Sequence, residues 1–127
     1  MVLSINPPKE LFASGVTVFN TNMGAVSTFQ DLDLSGIVGS KFAFVMLEVT
    51  PDASVTYIVK PKGYGSDTFS NHYNSSDKSP MGTGVSIFEG SGEFSYLWMA
   101  TDASGVVQHA AGDNTTTFLI KLVGYIK

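Results

Sequence analysis

The two histidines of the chain, His72 and His109, are the side chains best suited to acid–base chemistry near neutral pH. A nucleophilic triad needs a histidine that is held by a carboxylate and placed beside a serine, threonine or cysteine. Asp102 and Ser104 lie near His109 in sequence, but they fall in a predicted turn, and no Gly-x-Ser-x-Gly elbow occurs. We therefore interpret both histidines as surface or loop residues and predict no triad.

Carboxylates could also do acid–base work, since a glycosidase needs two of them facing each other across a cleft. The glutamates within or beside predicted strands are Glu48, Glu89 and Glu93. Glu89 and Glu93 flank a tight Gly-Ser-Gly hairpin, where charged side chains are ordinarily solvated. The sequence leaves this pair open, but we predict no catalytic residue and no hydrolytic activity that Glu89→Gln or Glu93→Gln would remove.

Oxygen ligands for a metal ion occur as three close pairs, which are Asp31 with Asp33, Asp67 with Asp77, and Asp113 with Asn114. Calcium needs several oxygens that converge from one loop, and the EF-hand spacing is absent. The chain also contains no cysteine, so thiolate zinc sites and iron–sulfur clusters are excluded. We predict neither a metal nor a cofactor.

The long irregular segment of residues 61–83 contains four ring-bearing side chains, Tyr64, Phe69, His72 and Tyr73, among Asn, Ser and Asp residues. Aromatic plates beside small polar groups are typical of surfaces that bind sugars or proteins. Loops of this length inside a compact domain are often functional. The sequence therefore proposes a ligand-binding loop, with the alternative that the rings anchor the loop to the rest of the domain.

The elements that must position these residues are strands, because apolar positions do not recur at helical spacing anywhere in the chain. Strand patterns bounded by turn residues occur at 15–20, 27–34, 41–50, 55–60, 84–89, 93–101, 106–109 and 115–126. These patterns predict an all-β fold, an antiparallel two-sheet β-sandwich of jelly-roll type with about eight strands. Because Pro7 and Pro8 disfavour both helix and sheet, residues 1–14 are expected to form an extended arm and residues 15–127 a single sandwich domain.

Composition excludes some partners. The seven basic residues are all lysines and the net charge is −4, so we expect neither nucleic-acid binding nor attraction to an anionic membrane. No stretch resembles a signal peptide or is long enough to span a bilayer, so no membrane insertion is expected. Only 14% of residues are charged, against about 25% in an ordinary soluble domain. Part of the surface is therefore expected to be buried against other subunits.

Three predicted strands carry apolar side chains on both faces, although a strand with one face in water should alternate apolar and polar residues. Residues 41–50 have Phe42, Phe44 and Met46 on one face and Ala43, Val45, Leu47 and Val49 on the other. Residues 93–101 have Phe94, Tyr96 and Trp98 opposite Leu97 and Met99. Residues 115–126 have Phe118, Ile120, Leu122 and Ile126 opposite Leu119, Val123 and Tyr125, with Lys121.

A small sandwich has one interior, so the second apolar face needs another cover. The prediction is that the outer face of one sheet is buried against copies of the same chain, and closed rings are the common outcome for identical subunits. The alternative is that loops or the N-terminal arm cover this face within one subunit.

Four short segments carry a family resemblance, which are residues 34–39 (LSGIVG), 57–63 (YIVKPKG), 101–107 (TDASGVV) and 122–126 (LVGYI). Together they resemble the C-terminal jelly-roll domains of phage and virus-like fibre or spike proteins, which form trimers. The resemblance covers residues 31–127 and transfers no binding residue. The chain departs from that family in having no fibre shaft or collagen-like repeat, so it corresponds to an excised domain or a stand-alone capsid decoration.

The resemblance implies a non-enzymatic virion component that assembles as a homotrimer and contacts a receptor or glycan on a host surface. It implies location in a virion, or outside the cell after release by lysis. The alternative class that the residues leave open is a carbohydrate-binding β-sandwich module.

Overall fold

The computed structural model describes residues 9–72, 85–89 and 93–127, and these residues form two antiparallel sheets with almost no helix. The predicted all-β sandwich is confirmed. The strands are β1 (Lys9–Asn22), β2 (Gln30–Asp33), β3 (Phe44–Pro51), β4 (Val55–Pro61), β5 (Val85–Glu89), β6 (Ser95–Ala100), β7 (Val106–Ala111) and β8 (Thr117–Ile126). A single helical turn, α1 (Ser35–Val38), follows β2, and a 3₁₀ turn (Phe69–His72) follows β4.

The two sheets each combine strands from distant parts of the chain. Sheet 1 has the strand order β1-β8-β3-β6, and sheet 2 has the order β2-β7-β4-β5. Every pair of neighbouring strands is antiparallel. Successive strands before β5 therefore alternate between the two sheets, and the connections cross from one layer to the other.

Strand β1 begins at Lys9 and not at Gly15, where the sequence pattern suggested a start. The alternation breaks at Gly15 because the pairing of β1 with β8 shifts register between Leu11 and Val16. Gly15 has a φ of +69°, and a Cβ atom there would lie 3.1 Å from the Cβ of Lys121. The glycine thus marks a bulge inside one strand, a position that favours a residue without a side chain.

The core lies between the inner faces of the two sheets. Sheet 1 contributes Val45, Leu47 and Val49 from β3, Leu97 and Met99 from β6, and Phe118, Ile120 and Leu122 from β8. Sheet 2 contributes Leu32, Val55, Tyr57, Val59, Val107 and Ala111. For β3, β6 and β8, one of the two apolar faces predicted from the sequence is therefore the core face.

The end of β8 corrects one prediction, because Ile126 does not share a face with Phe118 and Leu122. The pairing of β3 with β8 shifts register after Met46, which pairs with Gly124, while Leu47 pairs with Leu122. The extra residue reverses the side-chain alternation, so Ile126 is exposed on the outer face of the sheet.

The outer face of sheet 2 is covered by the chain itself. Ile58 and Ala110 point away from the main core, yet both are fully buried. They pack against Phe69 of the loop that follows β4, and half-buried Phe29 completes this second cluster. Loops thus cover the outer face of sheet 2 within one subunit. The two-sided strands for which the sequence left such cover open, β3, β6 and β8, all lie in sheet 1.

The turn between β6 and β7 adopts a shape that only glycine suits at its last position. Gly105 has a φ of +81°, and its carbonyl accepts a hydrogen bond of 3.0 Å from the Leu34 backbone amide. A Cβ atom on Gly105 would overlap the Gly39 carbonyl oxygen and would lie 3.1 Å from the Ser35 Cα. The turn therefore packs against α1 through bare backbone.

Gly105→Ala is expected to destabilise the fold by about 2 kcal/mol, because it combines a strained φ with overlap against backbone atoms that cannot rotate away. Urea unfolding measures the loss. Gly36→Ala is the matched control, since nothing lies within 4 Å of the added Cβ in α1. Equal urea midpoints for Gly105→Ala and the unsubstituted chain would contradict this account of the turn.

Candidate functional site

The largest unexplained feature of the molecule is the outer face of sheet 1. Six large apolar side chains on this face are between 39 and 65% exposed, and we call them the aromatic face: Phe42, Phe44, Phe94, Tyr96, Trp98 and Ile126. In a single strand with a solvated face these positions would be polar. No described segment of the chain covers them in the way the loop covers sheet 2.

The strand register brings these rings together. Met46 pairs with Trp98, and Phe44 pairs with Ala100, so Phe44 and Trp98 are diagonal neighbours on one face. Their rings stack with centroids 5.4 Å apart and an interplanar angle of 21°. Such ring pairs contribute roughly 0.5–1.5 kcal/mol beyond the area they bury. The aromatic face is therefore a packed surface and not a set of scattered side chains.

A groove of about 500 Å³ continues the aromatic face toward β1. Phe12 forms its β1 wall and Tyr96 its β6 wall, while Glu48 and Lys121 lie between them. Glu48 and Lys121 pair in register across β3 and β8. The groove thus places one carboxylate and one ammonium group beside the rings of Phe12 and Tyr96, with the Ser14 side chain also on its lining.

Tyr96 links the rings to this pair of charges. Its hydroxyl donates a hydrogen bond to the Glu48 carboxylate, and this bond raises the pKa of Tyr96. Glu48 therefore has the Tyr96 hydroxyl on one side and Lys121 as its register partner on the other strand.

The aromatic loop that the sequence proposed is placed mainly as an anchor. Phe69 and His72 are buried, and only Tyr64 is exposed among the described members. The His72 ring lies edge to face with Phe29, and its Nε2 is 2.6 Å from the Ser66 carbonyl oxygen. Tyr73 lies outside the described residues.

Both histidines were predicted to lie on the surface or in a loop. His72 lies in the loop after β4, although it is buried, whereas His109 is buried within a strand, which corrects the prediction for His109. His109 lies on the inner face of β7, fully buried, with its Nδ1 2.8 Å from the Tyr57 hydroxyl. Its ring meets Phe19 edge to face at 4.8 Å. Burial lowers the pKa of His109 to about 4 and raises the pKa of Tyr57.

The carboxylates near His109 in sequence do not reach it. One oxygen of Asp102 accepts hydrogen bonds from the backbone amides of Ser104 and Val106, at 2.8 and 3.0 Å. Asp102 thereby closes the turn that positions Gly105. Its contacts are those of a turn residue and not those of a triad carboxylate.

The aspartates considered as metal ligands each hold other partners. Asp31 accepts hydrogen bonds from Lys62 at 2.6 Å and from Gln108 at 3.2 Å, and the Lys62 bond is the main reason that its pKa is lowered. Asp33 accepts a bond from the Ser35 amide at 2.9 Å, and bonds from Ser35 lower its pKa.

Asp113, from the candidate pair Asp113 with Asn114, stabilises the turn before β8. Asp113 accepts backbone hydrogen bonds from Thr115 and Thr116 at 3.3 and 3.0 Å. Asp67 contacts Lys60 at 3.1 Å, and Asp77 lies outside the described residues. Within the described segments, no three His, Asp or Glu side chains come close enough together to hold a metal ion.

The glutamates considered for hydrolysis are not seen as a facing pair. Glu48 belongs to the groove beside Tyr96. Glu93 is exposed just before β6, and the side chain of Glu89 lies outside the described part of the chain.

Comparison with known proteins found no protein-family model that matches the sequence and no curated protein that matches it. Among residues 9–72, 85–89 and 93–127, no helix combines the length and the apolar composition that crossing a membrane requires. The fold and the aromatic face define the chain as an antiparallel β-sandwich with one self-covered sheet and one exposed apolar sheet.

The sequence predicted the strands with two apolar faces, but it did not predict that Glu48 and Lys121 lie together beside the aromatic face. Glu48 and Lys121 are separated by more than seventy positions, so no local pattern links them. The available signal was their isolation, because Glu48 and Lys121 are the single charged residues of the observed strands β3 and β8.

Proposed function

We propose that this chain is a non-enzymatic structural protein of a virus or phage particle, and that it self-assembles as a trimer through the aromatic face. The observation that carries the proposal is the row of exposed rings on sheet 1, from Phe44 through Trp98 to Tyr96. A contiguous apolar face of this kind on a monomer is an aggregation hazard, whereas burial in an interface turns it into a source of affinity.

The energetic scale supports assembly. Removing apolar surface from water contributes about 25 cal/mol per Å², so an interface of roughly 1,000 Å² has a gross gain of about 25 kcal/mol. Association costs roughly 4–15 kcal/mol in lost freedom, and the ordering of side chains and the desolvation of polar groups add to that cost, so the gross gain is of a size that assembly requires. Aromatic side chains are also the residues that most often dominate protein interfaces.

The charges on the aromatic face favour a second copy of the chain as the partner. The groove holds one anion, Glu48, and one cation, Lys121, beside the rings. A face with one charge of each sign complements itself, because Glu48 of one subunit can meet Lys121 of another. A partner with a single sign of charge would leave one of these groups unpaired in the interface.

We further propose that the sandwich is a jelly roll. The strand orders β1-β8-β3-β6 and β2-β7-β4-β5 support this assignment, because each sheet alternates strands from the first and second halves of the chain. Jelly rolls occur in viral capsid proteins and in lectins. The trimer and the virion location rest on the resemblance to phage and virus-like fibre domains, and the two antiparallel sheets support this part of the proposal only as a class of fold.

Size-exclusion chromatography with light scattering at micromolar concentration tests the assembly. We expect a mass of three chains, each of 13.5 kDa. The mass of a single chain with no concentration dependence would contradict both the assembly and the virion role. The genes that flank the coding gene provide a second test. We expect capsid or tail genes there, and a neighbourhood of metabolic genes would count against the virion role alone.

The carbohydrate-binding alternative finds little support on the aromatic face. A saccharide needs many hydrogen-bonding partners, and this face offers Glu48, Lys121 and the Tyr96 hydroxyl among apolar side chains.

A further inference from the structure

A polar pocket of about 330 Å³ opens on the outer side of sheet 2. Ser27, Thr28 and Phe29, from the segment between β1 and β2, form one wall, and Asp67 of the loop after β4 forms the other. Gln108 of β7 also lines the pocket. A second hollow of about 260 Å³ shares Ser27 and Asp67 and extends the opening toward Ser70.

A buried ammonium group lies beneath this pocket. Lys60 of β4 is fully buried, and its Nζ donates hydrogen bonds to Gln108 Oε1 at 2.8 Å and to Asp67 Oδ1 at 3.1 Å. The same Nζ lies 4.9 Å from the centroid of the Phe29 ring. Lys60 therefore contacts three of the residues that line the pocket.

The contacts of Lys60 hold the polar groups of the pocket in one arrangement. Lys60 and Gln108 pair in register, and Gln108 pairs in register with Asp31 on its other side. The Gln108 amide nitrogen donates to Asp31 at 3.2 Å, so its carbonyl oxygen is turned toward Lys60. Burying an ammonium group costs several kcal/mol, which its hydrogen bonds must offset.

Asp67 differs from the other partners of Lys60 because the Asp67 side chain is 86% exposed. A carboxylate held by a buried cation, yet open to solvent, keeps lone pairs free for a ligand. Ser27 stands opposite with a φ of 51°, which is uncommon for a residue other than glycine. Its backbone amide donates to the Ala111 carbonyl oxygen at 2.8 Å, which fixes this wall to β7.

We propose that the polar pocket binds a neutral saccharide, one sugar ring at a time. Sugar hydroxyls donate to the Asp67 carboxylate and exchange hydrogen bonds with the hydroxyls of Ser27 and Ser70. The apolar C–H edge of the sugar packs on Phe29. The volume lies at the small end of ligand pockets, roughly 300–1,000 Å³, which suits a single ring.

The charge distribution selects a neutral ligand over an anionic one. The Lys60 charge is buried and already paired with Asp67. An anion entering the pocket would therefore meet an exposed carboxylate and no free cation. A hydroxyl donor meets the same carboxylate as an acceptor, and bonds to charged acceptors are the stronger ones.

This site goes beyond the assembly role and is independent of it. The polar pocket lies on sheet 2 and the aromatic face on sheet 1, so the two surfaces point in opposite directions. Subunits that meet through the aromatic face leave the polar pocket open. A saccharide site there gives the proposed virion component a surface with which to contact a glycosylated cell.

A printed array of neutral and acidic glycans, followed by NMR titration with the methyl glycoside of the sugar that binds, tests the proposal on the full chain. We expect a neutral sugar to bind and to shift the backbone amides of Ser27, Thr28 and Thr68. Asp67→Asn removes the charged acceptor at an exposed position and should weaken binding at least tenfold. Ser27→Gly removes a hydroxyl at a φ that glycine accepts and should weaken it severalfold.

Asp33→Asn is the matched control, since it makes the same change on sheet 2 outside the pocket and should alter binding less than twofold. Melting curves establish that each variant is folded. Three results would overturn the proposal: no shift with any array sugar at millimolar concentration, binding of acidic glycans that Asp67→Asn strengthens, or shifts with the methyl glycoside that Trp98→Ala abolishes. The NMR titration uses a ligand with a single sugar, so it reports each site separately and does not change with the number of assembled subunits. Light scattering measures the oligomeric state in a separate experiment.

Discussion

Trp98→Glu is expected to convert the assembly into folded monomers of 13.5 kDa. Trp98 lies near the centre of the aromatic face, stacked on Phe44, and it is only 43% exposed before any partner binds. A buried tryptophan at an interface commonly contributes more than 2 kcal/mol, and a glutamate there would add an unpaired buried charge. The dissociation constant should rise at least a hundredfold, about 3 kcal/mol. Light scattering across a dilution series measures it.

The monomer itself should remain folded, because a glutamate at this position is solvated when no partner covers it. Circular dichroism and a urea midpoint close to that of the parent chain would show this. Tyr64→Glu is the matched control, since Tyr64 is an exposed aromatic residue on the loop that covers sheet 2. Equal loss of assembly in both variants, or no loss in Trp98→Glu, would contradict an interface on the aromatic face.

The second large effect is a loss of stability in mild acid that depends on His109. Its pKa is about 4 in the folded chain, lowered from 6.5 by burial between the sheets. Between these two values the unfolded chain binds a proton that the folded chain cannot. Stability is therefore fully present above about pH 6.5 and falls as the pH drops toward 4. The total loss is about 3 kcal/mol.

His109→Gln isolates this contribution, because an amide does not titrate and can still bond to the Tyr57 hydroxyl. Urea unfolding from pH 7.5 to 4.0 should show a steep loss for the chain with His109 and a flatter profile for the variant. Both are best measured with Trp98→Glu present, so that dissociation does not contribute. Parallel profiles would mean that His109 is not the group responsible. The carboxylates Asp31 and Asp33, whose pKa values lie below 3.8, lose their charge only at lower pH.

The strand pattern alone predicted the class of fold and the two-sided apolar strands, but not which face of each strand is the core. Leu47 and Leu97 were placed correctly on the faces opposite the exposed rings of their strands, because side chains in a strand alternate with a period of two. The turn ending at Gly105 was also predicted, since Asp and Gly at its two ends have local conformational reasons to be there. Both inferences depend on residues that are close in sequence.

Predictions failed where the outcome depends on distant residues. Ile126 was assigned to the wrong face because a bulge opposite Met46 reverses the alternation, and no local signal marks a bulge in β8 beyond Gly124. His109 was expected on the surface or in a loop, because no triad could be assembled around it from the sequence. Its burial depends on Tyr57, more than fifty residues away, which supplies the hydrogen bond that makes burial tolerable.

The sequence by itself determined that both faces of three strands are apolar, and hence that a second apolar surface exists. Only the tertiary structure decided which sheet has it. The loop after β4 buries Ile58 on sheet 2, whereas the rings of Phe44 and Trp98 on sheet 1 remain open. Likewise, Lys60, Gln108 and Asp67 are unremarkable in sequence and become a polar pocket because β4 and β7 pair in register. The alternation of side chains in a strand is local and can be read from residue types. Which sheet face a loop covers, and which distant side chains meet in a pocket, is set by long-range strand pairing.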